Sequence, residues 1–188
     1  MIKSVELNKT VFKKGNYPVP LTREIAFSGR SNVGKSSLLN ALFGRRLAKI
    51  SSTPGKTRSI NFYTVNGEIY FVDLPGYGYA RASMKEKEKW ESLILDYFDT
   101  RKNISLMTVL MDSRHPFQAV DRQMLDWVVH YSVPFVVVLT KADKLSRNQQ
   151  AITVRSVKKE IALWGSPPVL MVSAENRQGI EELLSLLL

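Results

Sequence analysis

The feature that most constrains the fold is the segment at residues 29–36, which matches the phosphate-binding pattern G-x-x-x-x-G-K-[ST] at every fixed position. Residues 24–28 are predicted to form a short buried strand that runs into the first glycine. Residues 36–44 have the apolar spacing and terminal glycine of a helix. A loop in this setting turns its backbone N–H groups toward a phosphate, and the helix N-terminus adds positive potential. The sequence therefore predicts a phosphate site on an α/β scaffold.

Two side chains of this loop are expected to bind the ligand directly. Lys35 is expected to reach the β- and γ-phosphates of a nucleotide, and the Ser36 hydroxyl is expected to bind Mg2+. The alternative is a glycine-rich turn that carries Lys and Ser by chance, and the flanking strand and helix argue against it. The residues predicted to line the phosphates are Gly29, Arg30, Ser31, Asn32, Val33, Gly34, Lys35, Ser36 and Ser37.

The rest of the chain alternates between strand and helix patterns. Continuous apolar runs at residues 104–111 and 133–139 predict buried parallel strands, separated by a helix at about 120–131. Two β-rich runs flank Asn66-Gly67, a strong hairpin signal, so they are predicted to be antiparallel neighbours. The other predicted elements are the hairpin strands 60–65 and 69–73, a strand at 169–172, and helices at 84–101, 147–164 and 179–188.

Together these elements predict one α/β domain over residues 1–188, with three layers, a mostly parallel sheet, one antiparallel hairpin strand and helices on both faces. Residues 1–20 are expected to supply an edge strand and a connector. An aromatic and aliphatic stripe on the helix at 84–101 is expected to face the core. Its members are Trp90, Leu93, Ile94, Tyr97 and Phe98.

The composition narrows the class of partner. The net charge is +10, from 27 Lys and Arg against 17 Asp and Glu, which favours a polyanion such as RNA over an uncharged partner. Anionic lipid, or a basic surface without a partner, remain alternatives. The chain has no cysteine and only two histidines, so disulfides and thiolate metal sites are excluded. Without a long apolar run or a secretory signal pattern, a cytoplasmic protein is expected.

A second motif, D-L-P-G at residues 73–76, ends the second hairpin strand. In a phosphate-loop protein this is where a carboxylate reaches Mg2+, generally through water, and where a glycine N–H meets the γ-phosphate. Asp73 and Gly76 are predicted to take these two roles. The alternative is an ordinary Asp-Pro-Gly turn.

A third motif, T-K-A-D at residues 140–143, follows the buried strand at 133–139. A carboxylate at Asp143 accepts from the N1–H and the 2-amino group of guanine, whereas adenine has no such donor pair. The aliphatic stem of Lys141 is expected to cover the base, and Thr140 belongs to the same site. Ser173 and Ala174 match a short S-A-x element, in which the Ala174 N–H binds the guanine O6. A surface Lys-Ala-Asp loop is the alternative, but the order of the motifs favours GTP.

The segment at residues 45–59 carries five basic residues and a Pro-Gly pair, and it is predicted to form a long mobile loop. Thr53 and Thr57 are both candidates for a threonine that closes onto Mg2+ when the γ-phosphate is present. Thr57 is preferred because Gly55 and Lys56 precede it in a G-x-T-R element, whereas Thr53 comes directly before a proline.

These motifs together resemble the TrmE-Era-EngA-EngB-septin branch of translation-associated GTPases, and most closely the EngB (YihA/YsxC) family of ribosome-biogenesis GTPases. The more specific marks of the resemblance lie at residues 29–37, 53–57, 61–63, 73–80 and 112–116. The resemblance implies a Ras-like P-loop GTPase domain that depends on Mg2+. It also implies a role in maturation of the large ribosomal subunit, linked to normal cell division and septation.

Two positions bear on the rate of hydrolysis. Tyr77 stands where Ras-like GTPases place the glutamine that orients the attacking water, so slow intrinsic hydrolysis is expected. Asn32 stands where K+-activated relatives carry an asparagine that helps to hold potassium, and the alternative is a simple loop residue. The residues predicted to take part in catalysis are Lys35, Thr57, Gly76 and Asn32.

The expected mechanism is a GTP-dependent binding switch, in which the γ-phosphate orders the segments around Thr57 and Gly76. The expected partners are the rRNA and proteins of the large subunit, without DNA or stable membrane association. A monomer is expected, with a GTP-dependent dimer as the alternative. Tyr77 and Tyr79, beside Arg81, are expected to pack this switch rather than stack on RNA bases. A nucleotide kinase and a membrane-associated or scaffold GTPase are the competing classes.

Overall fold

The computed structural model describes residues 2–48, 59–78 and 83–188. The strands are β1 Val5–Val11, β2 Arg23–Gly29, β3 Ile60–Val65, β4 Ile69–Asp73, β5 Ile104–Asp112, β6 Phe135–Thr140 and β7 Val169–Met171. The helices are α1 Lys35–Phe43, α2 Met84–Thr100, α3 Ala119–His130, α4 Arg147–Ile161 and α5 Ile180–Leu187, with 3-10 turns at Ala142–Lys144 and Ala162–Trp164.

The strands form one seven-stranded sheet in the order β1-β3-β4-β2-β5-β6-β7. β3 is antiparallel to both of its neighbours, β1 and β4, whereas the other neighbouring strands are parallel. The mostly parallel sheet with one antiparallel hairpin strand is therefore confirmed. The N-terminal edge strand is also where the sequence placed it.

Two apolar cores lie on opposite faces of the sheet. Helices α2, α3 and α4 pack on one face, and α1 and α5 pack on the other. The predicted stripe on α2 does face the first core: Leu93, Ile94, Tyr97 and Phe98 are buried, and Trp90 packs against them while partly buried. The predicted three layers are thus confirmed.

Local sequence explains where the elements begin and turn. Asn66 and Gly67 adopt positive φ values of 54° and 74°, as a tight hairpin turn requires. Helix α1 begins at Lys35, one residue before its predicted start, because Gly34 caps it in a left-handed conformation with φ of 102°. Ser146 caps α4, and its hydroxyl accepts from the backbone N–H of Gln149. The predicted helix at 147–164 ends at Ile161 and continues as a 3-10 turn.

A buried ion pair joins the opposite end of the sheet to α2. Glu24 is fully buried and pairs with Arg101, and the Tyr97 hydroxyl donates to its second oxygen at 2.9 Å. Arg101 also donates to the Pro18 carbonyl at 2.9 Å, which fixes the connector before β2. Because each charge has several partners, this cluster avoids the penalty of an uncompensated buried charge.

Candidate nucleotide-binding site

The predicted site residues that the structure describes meet at the carboxyl ends of the parallel strands. β2 ends at Gly29, β4 at Asp73 and β6 at Thr140, and Ser173 follows the end of β7. In an open α/β sheet, ligands bind in the crevice at this edge. Residues that are more than a hundred positions apart in sequence thus face one region.

The phosphate loop connects the end of β2 to the start of α1. A Cβ atom on Gly29 would lie 2.8 Å from a Val33 methyl and 3.0 Å from Leu110 Cβ, so only glycine fits this turn. Lys35 is only 8% exposed, and its ammonium forms an ion pair with Asp73. Ser36 is half-buried in the first turn of α1. The helix N-terminus and the Lys35 ammonium together favour an anion here.

The segment that follows β4 pairs with this loop. The Tyr77 N–H donates to the Gly29 carbonyl at 3.3 Å, and the Ser31 N–H donates to the Tyr77 carbonyl at 2.8 Å. Gly76 lies against the same loop, since a Cβ atom there would approach the Ser31 backbone to 3.4 Å. Asp73 and Gly76 are therefore next to the phosphate loop.

The side chain of Tyr77, which belongs to this segment, is buried. Its hydroxyl donates to Asp121 at 3.1 Å, and its ring lies 5.7 Å from that of Trp90. Burial, followed by the nearby Asp121 carboxylate, raises the pKa of the Tyr77 hydroxyl well above its ordinary value. The expected packing role of Tyr77 is confirmed. The alternative, stacking of Tyr77 on RNA bases, stays untested, and in this arrangement the Tyr77 ring is enclosed.

Asp121, at the start of α3, links Tyr77 to the phosphate loop. The Arg30 guanidinium lies 3.3 Å from the Asp121 carboxylate and also donates to the His115 carbonyl at 2.8 Å. Burial raises the pKa of Asp121, although Arg30 and the donors from Gln118 and Tyr77 oppose the shift. Arg30 therefore also connects the phosphate loop to α3 and to residue 115, a structural role that the sequence motif did not indicate.

At the other end of the site, two loops are joined by side-chain hydrogen bonds. The Ser173 hydroxyl donates to the Asp143 carboxylate at 2.6 Å, and the Thr140 hydroxyl donates to the Val33 carbonyl at 2.6 Å. The bond from Ser173, and then that from Lys144, lower the pKa of Asp143 below its ordinary value. The carboxylate is thus oriented and kept ionised, as a guanine acceptor must be.

Lys141 connects this end of the site to the phosphate loop. Its backbone is left-handed, with φ of 61°, and its ammonium donates to the Asn32 carbonyl at 2.7 Å and to Asp112 at 2.9 Å. The stem of Lys141 consequently spans the interval between the T-K-A-D loop and the phosphate loop. Asp112 also accepts from the Arg114 side chain at 2.7 Å.

Sequence reasoning did not assign roles to Asp112, Arg114 or Asp121, and it gave Ser173 only its place in the S-A-x element. A signal for Asp112 was present, because it ends a buried parallel strand next to the strand that ends at Thr140. No comparable signal pointed to Asp121, which lies in a helix.

Several predicted site residues, namely Gly55, Lys56 and Thr57, lie outside the described residues, as do Thr53, Tyr79 and Arg81. Within the described ranges, no group of three or more His, Cys, Asp or Glu side chains is placed to hold a metal ion. In those ranges there is also no helix of the length and apolar character needed to cross a membrane.

Comparison with known proteins agrees with this geometry. The family described as "50S ribosome-binding GTPase" matches residues 24–141. A protein of Kosmotoga olearia named "Probable GTP-binding protein EngB" is 60% identical over 188 residues, which cover 100% of this chain and 99% of that protein. The chain belongs to the EngB family of P-loop GTPases. An EngB of Thermotoga maritima is 48% identical over 187 residues, covering 100% of this chain and 96% of the relative.

Solved structures support the fold of this EngB-family chain. The crystal structure of a probable GTP-binding protein EngB superposes with a TM-score of 0.69 at 23% identity, covering 86% of this chain and 95% of that one. Aquifex aeolicus Era, as the Y63A variant bound to GDP.AlF4-, gives a TM-score of 0.71 at 21% identity, covering 89% of this chain and 56% of Era. The predicted P-loop GTPase fold is thereby confirmed.

Proposed function

We propose that this EngB-family GTPase is a Mg2+-dependent switch that acts in assembly of the large (50S) ribosomal subunit in the cytoplasm, with a link to cell division and septation. The observation that carries the nucleotide part is the position of Asp143 at the same sheet edge as the phosphate loop, held by Ser173. The family description, with its 50S ribosome, supports the assembly part.

In this proposal the phosphate loop and Lys35 bind the β- and γ-phosphates, and the Gly76 N–H adds a donor to the γ-phosphate. Asp143 accepts from guanine, the Ala174 N–H donates to O6, and Lys141 covers the base. Ser36 and Asp73 offer the hydroxyl and carboxylate oxygens that Mg2+ prefers; Ser36 follows the buried Lys35 in sequence, and Asp73 is paired with the Lys35 ammonium. Bound Mg2+ would neutralise charge on the phosphates during hydrolysis. Thr57 remains the predicted switch threonine.

Slow intrinsic hydrolysis follows from the placement of Tyr77. Its hydroxyl is committed to Asp121, and its ring is buried, so it cannot orient a water at the γ-phosphate. Another group must supply the missing transition-state stabilisation. Asn32 is our candidate for helping K+ to do so, because it is exposed at the loop and its side chain bonds to nothing else within the described residues.

Comparing GTP turnover in K+ and in Na+, for native protein and Asn32→Ala, tests the potassium proposal. We expect K+ to raise the turnover of native protein and to have little effect on the variant. Equal turnover of native protein in the two salts would remove this role from Asn32.

Exposed basic residues after α1 and on α2 support an rRNA partner. Arg45 and Arg46 are exposed after α1, and Lys85 and Lys89 are exposed on the first turns of α2. If GTP arranges these residues into one surface, binding to RNA becomes nucleotide-dependent and sensitive to salt. A monomer is proposed as the working form, with a GTP-dependent dimer as the alternative.

The deciding experiment is co-sedimentation with purified large subunits, with a GTP analogue and with GDP at the same salt concentration. We expect tighter binding with the analogue and stimulated GTP turnover on subunits. Equal affinity in the two nucleotide states would contradict the switch. Binding to anionic vesicles rather than to subunits would support the alternative of a membrane-associated GTPase.

A further inference from the structure

The segment at residues 112–115 has no role in the chemistry described above, yet it lies between the two halves of the nucleotide site. Asp112 is the last residue of β5 and pairs in register with Thr140 at the end of β6. The segment therefore leaves the sheet directly beside the T-K-A-D loop. It lies on the same carboxyl edge as the phosphate loop at the end of β2.

Backbone contacts fix this segment from both sides. The Ser113 N–H donates to the Thr140 carbonyl at 3.1 Å, which joins it to the base-recognition loop. On the other side, Arg30 of the phosphate loop donates to the His115 carbonyl at 2.8 Å. Residues 112–115 thus connect the loop proposed to select the base with the loop proposed to bind the phosphates.

Asp112 provides the negative charge of this connecting segment. One of its oxygens accepts from the Lys141 ammonium at 2.9 Å and from the Arg114 guanidinium at 2.7 Å. The other accepts from the Arg114 Nε at 2.9 Å and from the Arg114 backbone N–H at 3.1 Å. Asp112 is 7% exposed, whereas the side chains of its partners Arg114 and Lys141 are 41% and 28% exposed, so the carboxylate is better shielded from water than the groups that donate to it.

The ionised form of Asp112 is strongly favoured. Partial burial alone would raise the pKa of this carboxyl, but the hydrogen bonds from Arg114 and Lys141 outweigh it and hold the pKa well below its ordinary value. Asp112 therefore carries its charge throughout the physiological range of pH.

Lys141 needs such a partner because its stem is long and flexible. Its ammonium donates to two acceptors from different segments, the Asp112 carboxylate and the Asn32 carbonyl. Two fixed points at the end of the side chain remove most of its rotational freedom before a nucleotide arrives, and such preorganisation increases affinity. With Asp112 neutral, the negative charge that attracts the ammonium would be lost, and only uncharged acceptors would remain.

We propose that Asp112 is a positioning residue for nucleotide binding, which holds the Lys141 ammonium against the Asn32 carbonyl and so fixes the Lys141 stem over the base. This inference rests on the proposed placement of GTP. Asp112 acts through Lys141 and touches neither the nucleotide nor the reacting atoms. Arg114 assists by sharing the carboxylate.

The test is a double-mutant cycle of Asp112→Asn and Lys141→Met, with equilibrium binding of a fluorescent GDP analogue as the readout. Lys141→Met keeps an unbranched stem but removes the ammonium. We expect each single variant to bind GDP about tenfold more weakly, as for loss of one charge-assisted hydrogen bond. The double variant should bind no more weakly than Lys141→Met alone. The KM for GTP should rise similarly in Asp112→Asn, with a smaller change in kcat.

Glu160→Gln is the matched control, because Glu160 also pairs with an arginine, Arg122, but lies at the end of α4. It should bind GDP as native protein does. If Asp112→Asn does not fold by circular dichroism, Lys141→Met probes the same contact from its other end, and native affinity in that variant would overturn the proposal.

The remaining outcomes distinguish the proposed placement of GTP from the proposed role of Asp112. Failure of native protein to bind the GDP analogue would overturn the placement of GTP itself. Native binding with unchanged affinity in Asp112→Asn would overturn only the role of Asp112. Independent, additive losses in the double variant would also overturn it, since Asp112 would then not act through Lys141.

Discussion

At the base end of the nucleotide site, Asp143 is held by Ser173, and Lys141 by Asp112 and the Asn32 carbonyl. At the phosphate end, Lys35 and Asp73 are instead paired with each other. At the base end, the groups proposed to contact guanine are thus held by other groups of the protein. The paired groups at the phosphate end are those proposed to bind phosphate and Mg2+.

This difference separates selection of the nucleotide from the response to it. Fixed acceptors at the base end cost little reorganisation on binding and so favour discrimination between bases. At the phosphate end, ligands must share or replace an existing ion pair, and the segment that carries Gly76 is attached to the same loop. We therefore expect substitutions at the base end to change the affinity or the base selectivity of nucleotide binding, and those at the phosphate end to change turnover.

The largest expected effect is on selectivity. In Asp143→Asn, the amide can no longer accept from both the N1–H and the 2-amino group of guanine. It can instead donate to the carbonyl that xanthine carries in place of the 2-amino group. The preference for GTP over XTP should fall by about a thousandfold or more. Competition of both nucleotides against a fluorescent analogue measures this. An unchanged preference would remove Asp143 from base recognition.

The next effect is on turnover. Lys35→Ala removes the buried ammonium and leaves Asp73 without its partner, so kcat should fall by about a hundredfold or more. The variant should also be less stable, because a buried carboxylate has lost its compensating charge. Single-turnover hydrolysis and thermal unfolding measure the two consequences. Exposed Lys158, on α4, supplies the control substitution Lys158→Ala. Native turnover in Lys35→Ala would contradict its assignment.

A smaller effect is expected at Ser173. In Ser173→Ala, Asp143 loses the hydrogen bond that orients it, so GDP should bind about five- to tenfold more weakly with selectivity for guanine retained. The same loss raises the pKa of Asp143 toward its ordinary value of about 4. Because the folded pKa is depressed, the stabilising effect is present above the ordinary value and is lost as pH falls. The effect of Ser173→Ala on stability should therefore shrink in acid. Equal affinity to native protein would show that the base end needs no such support.

The smallest effect should come from Tyr77→Phe. Loss of the hydroxyl removes one donor from buried Asp121, which should cost about 1–2 kcal/mol of stability, while GTP turnover stays within about twofold. The folded pKa of Asp121 is raised, so its stabilising contribution is complete below the ordinary value and is lost as pH rises. The Tyr77 donor by itself lowers the pKa of Asp121, because it favours the ionised carboxylate, so its removal should cost more stability at neutral pH than in acid. Denaturant unfolding at two pH values tests the sign, and a large fall in turnover would show that Tyr77 does serve the chemistry.

Much of this arrangement could be predicted from the sequence, because its signals are local. The phosphate loop, the apolar strands and the turn at Asn66-Gly67 each depend on residues that are close together in the chain. The end of a strand also places a motif at a known edge of the sheet, which is why Asp73 and Asp143 were assigned to one site.

The rest depends on which side chains meet across strands and helices. Ser173 reaches Asp143 from 30 residues away, and Arg30 meets Asp121, which lies on a helix whose rotation the sequence does not fix. Asp112 and Lys141 become partners only through the register of β5 with β6. Periodicity predicts that such residues lie near the sheet edge, but it does not predict their hydrogen-bond geometry.

The most direct test of the central claim is competition between nucleotides for the native protein. A fluorescent GDP analogue is displaced by GTP, GDP or ATP in Mg2+, and the three affinities are compared. We predict that GTP and GDP bind at least about a thousandfold more tightly than ATP, since only guanine offers the donor pair that Asp143 accepts. An affinity for ATP within about tenfold of that for GTP would contradict a base end built to select guanine.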